Sequence, residues 1–324
     1  MPTFCRHNRL AQNCPICRDR EPERPAARRR TAAPKPARRA AGARARRPGG
    51  ASDVKVRRVE RAADDGYRHD LVPGLRATAD AERLAAALAA SAGRLRSLRS
   101  SPPGLYAEVA SLPDPEEALW LAFLVAYLGP LESPDPFAGI AAARVPWAGG
   151  EVPALDGAPL GPRTSHVPGR GLETVAAYRA FAERAGSQAA ALGGEPAWSP
   201  ARRFARGYER LALPGLARAA RYDLMLTLGA TGRLDCRPDT LMLTGADDGT
   251  ALAAKRVFGI ADPMLLERRA ADLARAAEVP LGALDLALWS WGAGGEAPLR
   301  GGAAPGSEDA GAHARARAAL DVEG

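Results

Sequence analysis

The feature that most constrains the fold is an apolar run of eleven residues, Ala118–Leu128. Helix-start signals come directly before it: Asp114 is a typical N-cap, Pro115 suits the first helical position, and two glutamates place negative charge in the first turn. Gly129-Pro130 is a typical stop. An apolar run of this length is too short to span a bilayer, which takes about 18 residues or more. We therefore predict that it forms the central core helix.

Apolar residues also recur at helical spacing on both sides of this run. Asp80 is a candidate N-cap for a helix whose leucines form one stripe, at Leu84, Leu88, Leu95 and Leu98. Further helices are predicted along 172–186, from Ser199-Pro200, along Leu216–Leu228, from Thr250, from Asp262-Pro263 and, as the last one, from Pro280. Evidence for strands is thin, because isoleucine occurs only three times and alternation of polar and apolar residues never persists. The prediction is an all-α body of seven or eight helices over residues 67–292, with a loop-rich stretch over Glu132–Gly171.

Two segments lack the large apolar residues that a core needs. Residues 21–66 consist mainly of arginine, alanine, proline and glycine, and residues 293–324 of glycine, alanine and scattered charge. Such segments cannot bury enough surface to offset the entropy that is lost on ordering. We predict a disordered linker over 21–66 and a disordered tail over 293–324.

Charge divides the chain at residue 61. Residues 1–61 hold 18 Lys+Arg against 5 Asp+Glu, a net charge of +13, whereas residues 62–324 hold 27 against 32, a net charge of −5. A basic arm therefore precedes a mildly acidic body. Arms of this kind bind nucleic acid or anionic surfaces through charge, with an affinity that depends on salt and not on sequence. The alternative is that the arm is only a solvated linker.

Three of the four cysteines lie within the first 17 residues. The Cys14-Pro15-Ile16-Cys17 turn can aim two thiolates at one ion, and Cys5 and His7 can complete a tetrahedron. We predict one structural zinc ion, bound by Cys5, His7, Cys14 and Cys17, in a zinc-knuckle module over residues 1–20. The alternative, a redox dithiol, needs a supporting fold that this segment lacks. The chain also begins without the apolar stretch of a secretory signal, so we expect a cytoplasmic protein with no membrane partner.

A Leu213-Pro214-Gly215 turn lies between two predicted helices. In helix-hairpin-helix units such a glycine lets backbone amides approach a phosphate, and the N-terminus of the following helix attracts it. Ala217 stands where the second glycine of these hairpins is expected, and Pro-Gly is also a common way to separate two helices. We single out Leu213, Pro214 and Gly215 as a candidate DNA-binding hairpin.

An Asp239-Thr240 pair follows 24 residues after Gly215. The hairpin, helix and loop that lead to this pair resemble the helix-hairpin-helix DNA glycosylase superfamily over about residues 105–292. With the cysteine module and the basic arm, the chain looks most like a bacterial branch of that superfamily, the α-glutamyl/putrescinyl thymine pyrophosphorylases, third clade. The resemblance implies a helix-hairpin-helix DNA glycosylase-like domain that acts on hypermodified thymine in DNA. In the implied reaction, an amine co-substrate displaces pyrophosphate from a pyrophosphorylated 5-hydroxymethyl-uracil base and a carbon–nitrogen bond forms.

The resemblance also implies roles for individual residues. Asp239 is the candidate catalytic base or electrostatic anchor, in a pocket that we expect it to share with the hairpin, and the candidate phosphate contacts are Arg237, Lys255 and Arg256. Independently of the resemblance, His166 lies in a loop with Arg163 close by, and the two are candidates for proton transfer or phosphate binding. Each has a structural alternative: a helix cap or an arginine partner for Asp239, an exposed helix face for Lys255 and Arg256, and an ordinary loop histidine for His166.

Tryptophans offer a further candidate contact, because Trp198, Trp289 and Trp291 are suited either to stacking on an extruded base or to the core. For the whole protein, the alternatives to a base-modifying enzyme are a DNA glycosylase, a non-catalytic nucleic-acid-binding protein and an interaction scaffold without nucleic acid. The missing hairpin glycine and the acidic body favour the non-catalytic binder.

Overall fold

The computed structural model describes residues 62–322. This part of the chain folds into twelve α-helices joined by loops and contains no β-strand. This confirms the predicted all-α class; three of the additional helices have only six or seven residues. The predicted zinc-knuckle module and the linker up to residue 61 lie outside the described residues. In chain order the helices are α1 (Thr78–Ser100), α2 (Leu105–Ser111), α3 (Pro115–Leu128), α4 (Ala138–Ala143), α5 (Gly171–Ala185), α6 (Gln188–Gly193), α7 (Pro200–Arg210), α8 (Arg218–Ala230), α9 (Gly249–Phe258), α10 (Pro263–Ala276), α11 (Ala283–Ala293) and α12 (Ala310–Ala319).

Helix α3 lies in the core, as predicted. Every residue from Ala118 to Leu128 is buried, and α3 packs against α2, α6 and α8. The carboxylate of Asp114 caps it by accepting a hydrogen bond from the Glu116 N–H at 2.9 Å. Its aromatic side chains stack on α5, where the ring centroid of Phe123 lies 3.8 Å from that of Tyr178. None of the helices within residues 62–322 is both long and apolar enough to cross a membrane.

The other helix starts follow the predicted signals with small shifts. Ser199 caps α7 and Asp262 caps α10, each by accepting a hydrogen bond from a backbone N–H three residues later. Helix α9 begins one residue before Thr250, because Asp248 is its cap. Helix α8 begins at Arg218, two residues later than predicted.

The predicted leucine stripe of α1 is buried, but Asp80 is not its cap. Helix α1 already begins at Thr78, with Ala77 as the N-cap residue. The Asp80 carboxylate instead pairs with Arg83 at 2.7 Å. The Asp80 carbonyl accepts a hydrogen bond from the Trp291 indole at 2.9 Å, so this residue ties α1 to α11.

The C-terminal residues differ from the disordered tail predicted over 293–324. Helix α12 packs against α1 and buries Ala312, Ala316 and the following Leu320. The loop just before α12 also approaches α1 closely, because Gly93 of α1 has no side chain: a Cβ there would lie 2.0 Å from the Ser307 carbonyl oxygen. The helical body therefore extends beyond residue 292. A helix that packs through alanines lacks the stripe of large side chains by which we predicted the others.

Candidate nucleic-acid interface

The predicted hairpin turn connects α7 to α8. It is closed by the Leu216 N–H, which donates to the Leu213 carbonyl at 3.1 Å, and Gly215 has a φ of 73°, in the left-handed region. A Cβ on Gly215 would lie 2.1 Å from Oγ1 of Thr174 on α5. The backbone conformation and this close approach both require glycine. Pro214 and Gly215 are exposed at the surface.

Ser165 holds this turn from the inside of the body. Its buried hydroxyl donates to the Gly215 carbonyl at 2.8 Å and accepts a hydrogen bond from the Ala217 N–H at 2.7 Å. One side chain thus fixes the backbone on both sides of Leu216. Sequence reasoning missed Ser165, although the adjacent His166 had marked the same loop as a candidate site.

Ala217 replaces the expected second glycine without strain. Its φ of −65° and ψ of 159° are ordinary extended values that alanine adopts freely. It is the N-cap residue of α8 but provides no side-chain hydrogen bond. The N-terminus of α8 therefore keeps the partial positive charge that favours a nearby anion.

An open cavity of about 250 Å³ lies beside the turn. Its lining includes Pro214 and Gly215 from the turn, and Arg170, Glu173 and Thr174 from the start of α5 and the residue before it. The arginine and the glutamate balance in charge, so the cavity itself is not strongly cationic.

Asp239 does not line the hairpin cavity, in contrast to the shared pocket that we expected. It is exposed, and the residues after it run along α8. The Tyr222 hydroxyl donates to the Thr240 carbonyl at 3.2 Å, and the Arg218 guanidinium donates to the Leu241 carbonyl at 2.7 Å. The chain therefore does return towards the hairpin end of α8, as predicted. The catalytic role of Asp239 stays a prediction.

Glu267 of α10 fixes the same segment from another side. Its carboxylate accepts hydrogen bonds from the N–H groups of Leu241 and Leu243, each at 2.6 Å. Burial raises the pKa of Glu267, and the charge of Asp239 adds to the increase, while the two backbone hydrogen bonds oppose it. Sequence reasoning missed this carboxylate, because nothing in the pattern of α10 distinguishes it from a solvent-facing glutamate.

The predicted phosphate contacts lie on two different elements and line no part of the hairpin cavity. Arg237 is exposed in the loop after α8, where its N–H donates to the Pro200 carbonyl at 3.2 Å. Lys255 is half-buried and Arg256 is exposed, both in the last turn of α9. Cations in that turn complement the negative end of the helix dipole, which is the structural alternative for both.

His166 is packed inside the body. It is 6% exposed, and its Nδ1 lies 3.1 Å from the Tyr127 hydroxyl. A Cβ on Gly171 would lie 2.2 Å from its ring, which shows how closely the backbone covers it. Burial lowers the pKa of His166 below its usual value of 6.5, so the imidazole is neutral at pH 7. These contacts favour the structural alternative over phosphate binding.

A buried ionic network, which sequence reasoning missed, lies behind the hairpin. Asp285 of α11 is 1% exposed and accepts hydrogen bonds from Arg163 and from Arg218, the first residue of α8. Arg218 also pairs with Asp248, the cap of α9, at 2.7 Å. Two guanidiniums and two carboxylates therefore join one loop to three helices. The available signal was a lone aspartate within the otherwise apolar helix α11.

A second buried network anchors the other side of α8. Arg94 of α1 pairs with Asp223 at 3.0 Å and donates to the Tyr106 hydroxyl and the Gly301 carbonyl, both at 2.9 Å. A narrow cavity of about 20 Å³ lies between this pair and Arg163. A space of this size holds about one water molecule and not a nucleobase.

The three tryptophan rings contact arginines of the protein itself. Guanidinium groups lie 5.0–5.7 Å from the ring centroids, as cation–π contacts of Arg202 and Arg210 with Trp198, of Arg163 with Trp289 and of Arg83 with Trp291. These contacts favour packing over base stacking.

Metal ligation within the described part of the chain is limited: residues 62–322 contain no group of three or more His, Cys, Asp or Glu side chains placed to hold an ion. The predicted zinc ligands Cys5, His7, Cys14 and Cys17 lie outside the described residues, so the zinc site stays a prediction.

Comparison with known proteins found no match among family models, curated proteins or solved structures. The resemblance to thymine pyrophosphorylases therefore rests on the cysteine module, the hairpin and the Asp239-Thr240 pair.

Proposed function

We propose that this chain binds DNA through its basic arm and its hairpin. The observation that carries the proposal is the turn at Gly215, which is exposed to solvent yet fixed from inside by two hydrogen bonds to Ser165. The Leu216 N–H and the Ala217 N–H are already donated to Leu213 and Ser165. The Gly215 N–H is therefore the amide of this exposed turn that is suited to contact a phosphate, ahead of a helix N-terminus. Because such contacts do not depend on the base, the binding is expected to be independent of sequence.

The charge of the arm supports this proposal. The net +13 of residues 1–61 is attached to a body of net −5, so attraction to a polyanion must come mainly from the arm. Counterion release then makes the affinity fall with salt, with a slope in log–log form of about −0.9 per phosphate contacted in duplex DNA.

Anisotropy of a labelled 20-base-pair duplex, titrated with the full chain between 50 and 200 mM salt, tests the proposal. We expect saturable binding with a steep salt slope, similar for duplexes of unrelated sequence. RNA of the same length is the comparison that decides which nucleic acid is preferred. No binding at 50 mM salt would overturn the proposal.

Base modification is a second candidate function. It is favoured by the fixed position of the segment that follows Asp239, held by Tyr222, Arg218 and Glu267. In the proposed step the amine nitrogen attacks the exocyclic methylene carbon, the carbon–oxygen bond to pyrophosphate breaks, and pyrophosphate leaves with the electron pair. The proton released by the amine passes to Asp239, and Arg237, Lys255 and Arg256 are the candidate cations for the leaving group.

Nucleoside mass spectrometry distinguishes these functions, after DNA with the pyrophosphorylated base is incubated with the protein and candidate amines. A new amine adduct supports the transferase, and a released base supports a glycosylase. Unchanged DNA would contradict both activities and leave DNA binding as the proposed function. Asp239→Asn is expected to abolish a product and to leave the affinity for DNA nearly unchanged. The matched control is Asp247→Asn, because Asp247 is also an exposed loop aspartate.

We also propose that Cys5, His7, Cys14 and Cys17 bind one structural zinc ion. Metal analysis of protein purified under reducing conditions without chelator should find about one equivalent. Replacing Cys14 and Cys17 by serine should remove it, whereas replacing Cys236, which is buried in the body, should not. Zinc-free wild-type protein would contradict this site.

A further inference from the structure

A second cleft, of about 200 Å³, lies at the surface of the body away from the hairpin cavity. Three arginines line it: Arg76 before α1, Arg83 on α1 and Arg256 at the end of α9. Asp64 and Asp80 lie in the same lining, which leaves one net positive charge.

The three arginines differ in whether a carboxylate of the protein already neutralises their charge. Arg83 is paired with Asp80 at 2.7 Å and lies over the Trp291 ring. Arg76 and Arg256 are exposed, and neither forms a salt bridge with any residue in the described range 62–322. Among the residues 62–322, two guanidiniums of this cleft therefore have no carboxylate partner and face the cleft as cations. Guanidinium groups bind phosphate oxygens in a bidentate manner.

The backbone holds these two arginines on one rigid frame. The Gly74 N–H donates to the Val257 carbonyl at 2.9 Å, which joins the segment carrying Arg76 to the end of α9. A Cβ on Gly74 would lie 1.8 Å from the Arg256 carbonyl oxygen, so the two segments are in direct backbone contact. The cleft is thus built by packing and not by mobile side chains alone.

The basic arm directly precedes a residue of this cleft in the sequence. Ala62, the first described residue, is part of the lining, and Arg61, Arg58 and Arg57 precede it by one, four and five residues. The cationic cleft and the cationic arm are therefore continuous along the chain.

We propose that the cleft of Arg76, Arg83 and Arg256 binds backbone phosphates of DNA, where DNA held by the arm reaches the body. The proposal rests on the proposed DNA-binding function. Another cleft of the body is also lined by three arginines, but two of them are neutralised: Arg96 pairs with Asp309 and Arg315 with Glu278. Among the described residues, Arg99 is the one arginine of that cleft without a carboxylate partner. Of these two clefts, the cleft of Arg76, Arg83 and Arg256 has two guanidiniums without a carboxylate partner in the described range.

The test compares two double variants of the full chain. Arg76→Gln with Arg256→Gln removes the two available charges of the cleft. Arg99→Gln with Arg184→Gln removes two charges from exposed helix positions elsewhere on the body. All four side chains are exposed, so both variants should keep the urea midpoint of the wild type.

Duplex binding is then measured at 50, 100 and 200 mM salt. We expect the cleft variant to raise the Kd at 50 mM salt by about tenfold or more and to reduce the salt slope by one to about two, since each lost phosphate contact removes about 0.9. The control variant should change the Kd by about threefold or less. Equal weakening in both variants would overturn the proposal while the DNA-binding function stands.

Calorimetry with inorganic pyrophosphate is the second measurement of the test. If pyrophosphate binds the wild type and not the cleft variant, and the affinity for DNA is unchanged, then the cleft takes a free anion and the proposal is wrong. Wild-type protein that binds no DNA would instead overturn the proposed function, and this proposal with it.

Discussion

Replacing Asp285 by asparagine is expected to lower the free energy of unfolding by about 3–5 kcal/mol. The carboxylate is 1% exposed and receives hydrogen bonds from the guanidiniums of Arg163 and Arg218, whose side chains are 11% and 5% exposed. Asparagine keeps the size of the side chain and removes its charge. Two desolvated cations would then face a neutral amide, and only Asp248 would remain to balance Arg218.

Urea denaturation of the two proteins measures this loss. The matched control is Asp272→Asn on α10, because the partner of Asp272 is Arg275, at 2.9 Å, and the side chains of Asp272 and Arg275 are 45% and 75% exposed. Removing that pair should change the stability by less than about 1 kcal/mol. A loss for Asp285→Asn as small as that of the control would show that the network contributes no more than a surface pair.

The same network predicts a dependence on acid. Burial alone would raise the pKa of Asp285, but the charges and hydrogen bonds of Arg218 and Arg163 outweigh it and hold the pKa below the usual 3.8. Because the folded pKa is the lower one, the stabilisation is complete above about pH 4 to 5 and is lost as the pH falls towards the folded pKa. Wild-type protein should therefore lose more stability between about pH 5 and pH 3 than the asparagine variant does.

This network connects stability to the candidate interface. Arg218 is the first residue of α8, directly after the hairpin, and Arg163 lies two residues before Ser165, which holds the turn. The interior contacts of the interface are therefore charged and buried, whereas its exposed surface is a glycine turn. Because Arg163 and Arg218 flank the residues that fix the turn, Asp285→Asn is expected to shift the turn at Gly215 as well as to destabilise the core.

Helices with an N-cap residue and an apolar run or stripe could be predicted from the sequence, because these signals are local. The N-cap at Asp114 and the apolar run after it place α3 correctly, because both the cap and the buried surface lie within a few adjacent residues. Helix α12 has no such surface: it packs on α1 and buries the small side chains of Ala312 and Ala316, which leave no periodic stripe to detect. Composition alone therefore suggested a tail where the chain forms a helix.

The candidate site was predicted less completely, because its contacts join residues that are far apart in the sequence. The turn at Gly215 could be recognised from three adjacent residues, but its partner Ser165 lies 50 residues earlier. Asp285 is 122 residues from Arg163 and 67 from Arg218, and a single sequence does not show which of many arginines fold against it. Arg163 was predicted as a phosphate contact, and in the structure its guanidinium pairs with Asp285.

Replacing the fourteen basic residues within 21–61 by glutamine is expected to raise the Kd for duplex DNA by at least about 100-fold at 0.1 M salt. The formal net charge of the chain would fall from +8 to −6, so long-range attraction to DNA would become repulsion. The urea midpoint of the body should not change, because the arm carries almost none of the large apolar residues that form a core.

The control that separates the charge of the arm from the order of its residues is a permuted arm, with residues 21–61 in shuffled order and the same composition. If the arm acts through charge, the permuted protein should bind within about threefold of the wild type and with the same salt slope, since counterion release depends on the number of phosphates neutralised. The glutamine arm should show a much shallower slope. A glutamine arm that binds as tightly as the wild type, with an unchanged slope, would mean that the arm is a spacer and that the hairpin and the arginine cleft of the body carry the affinity.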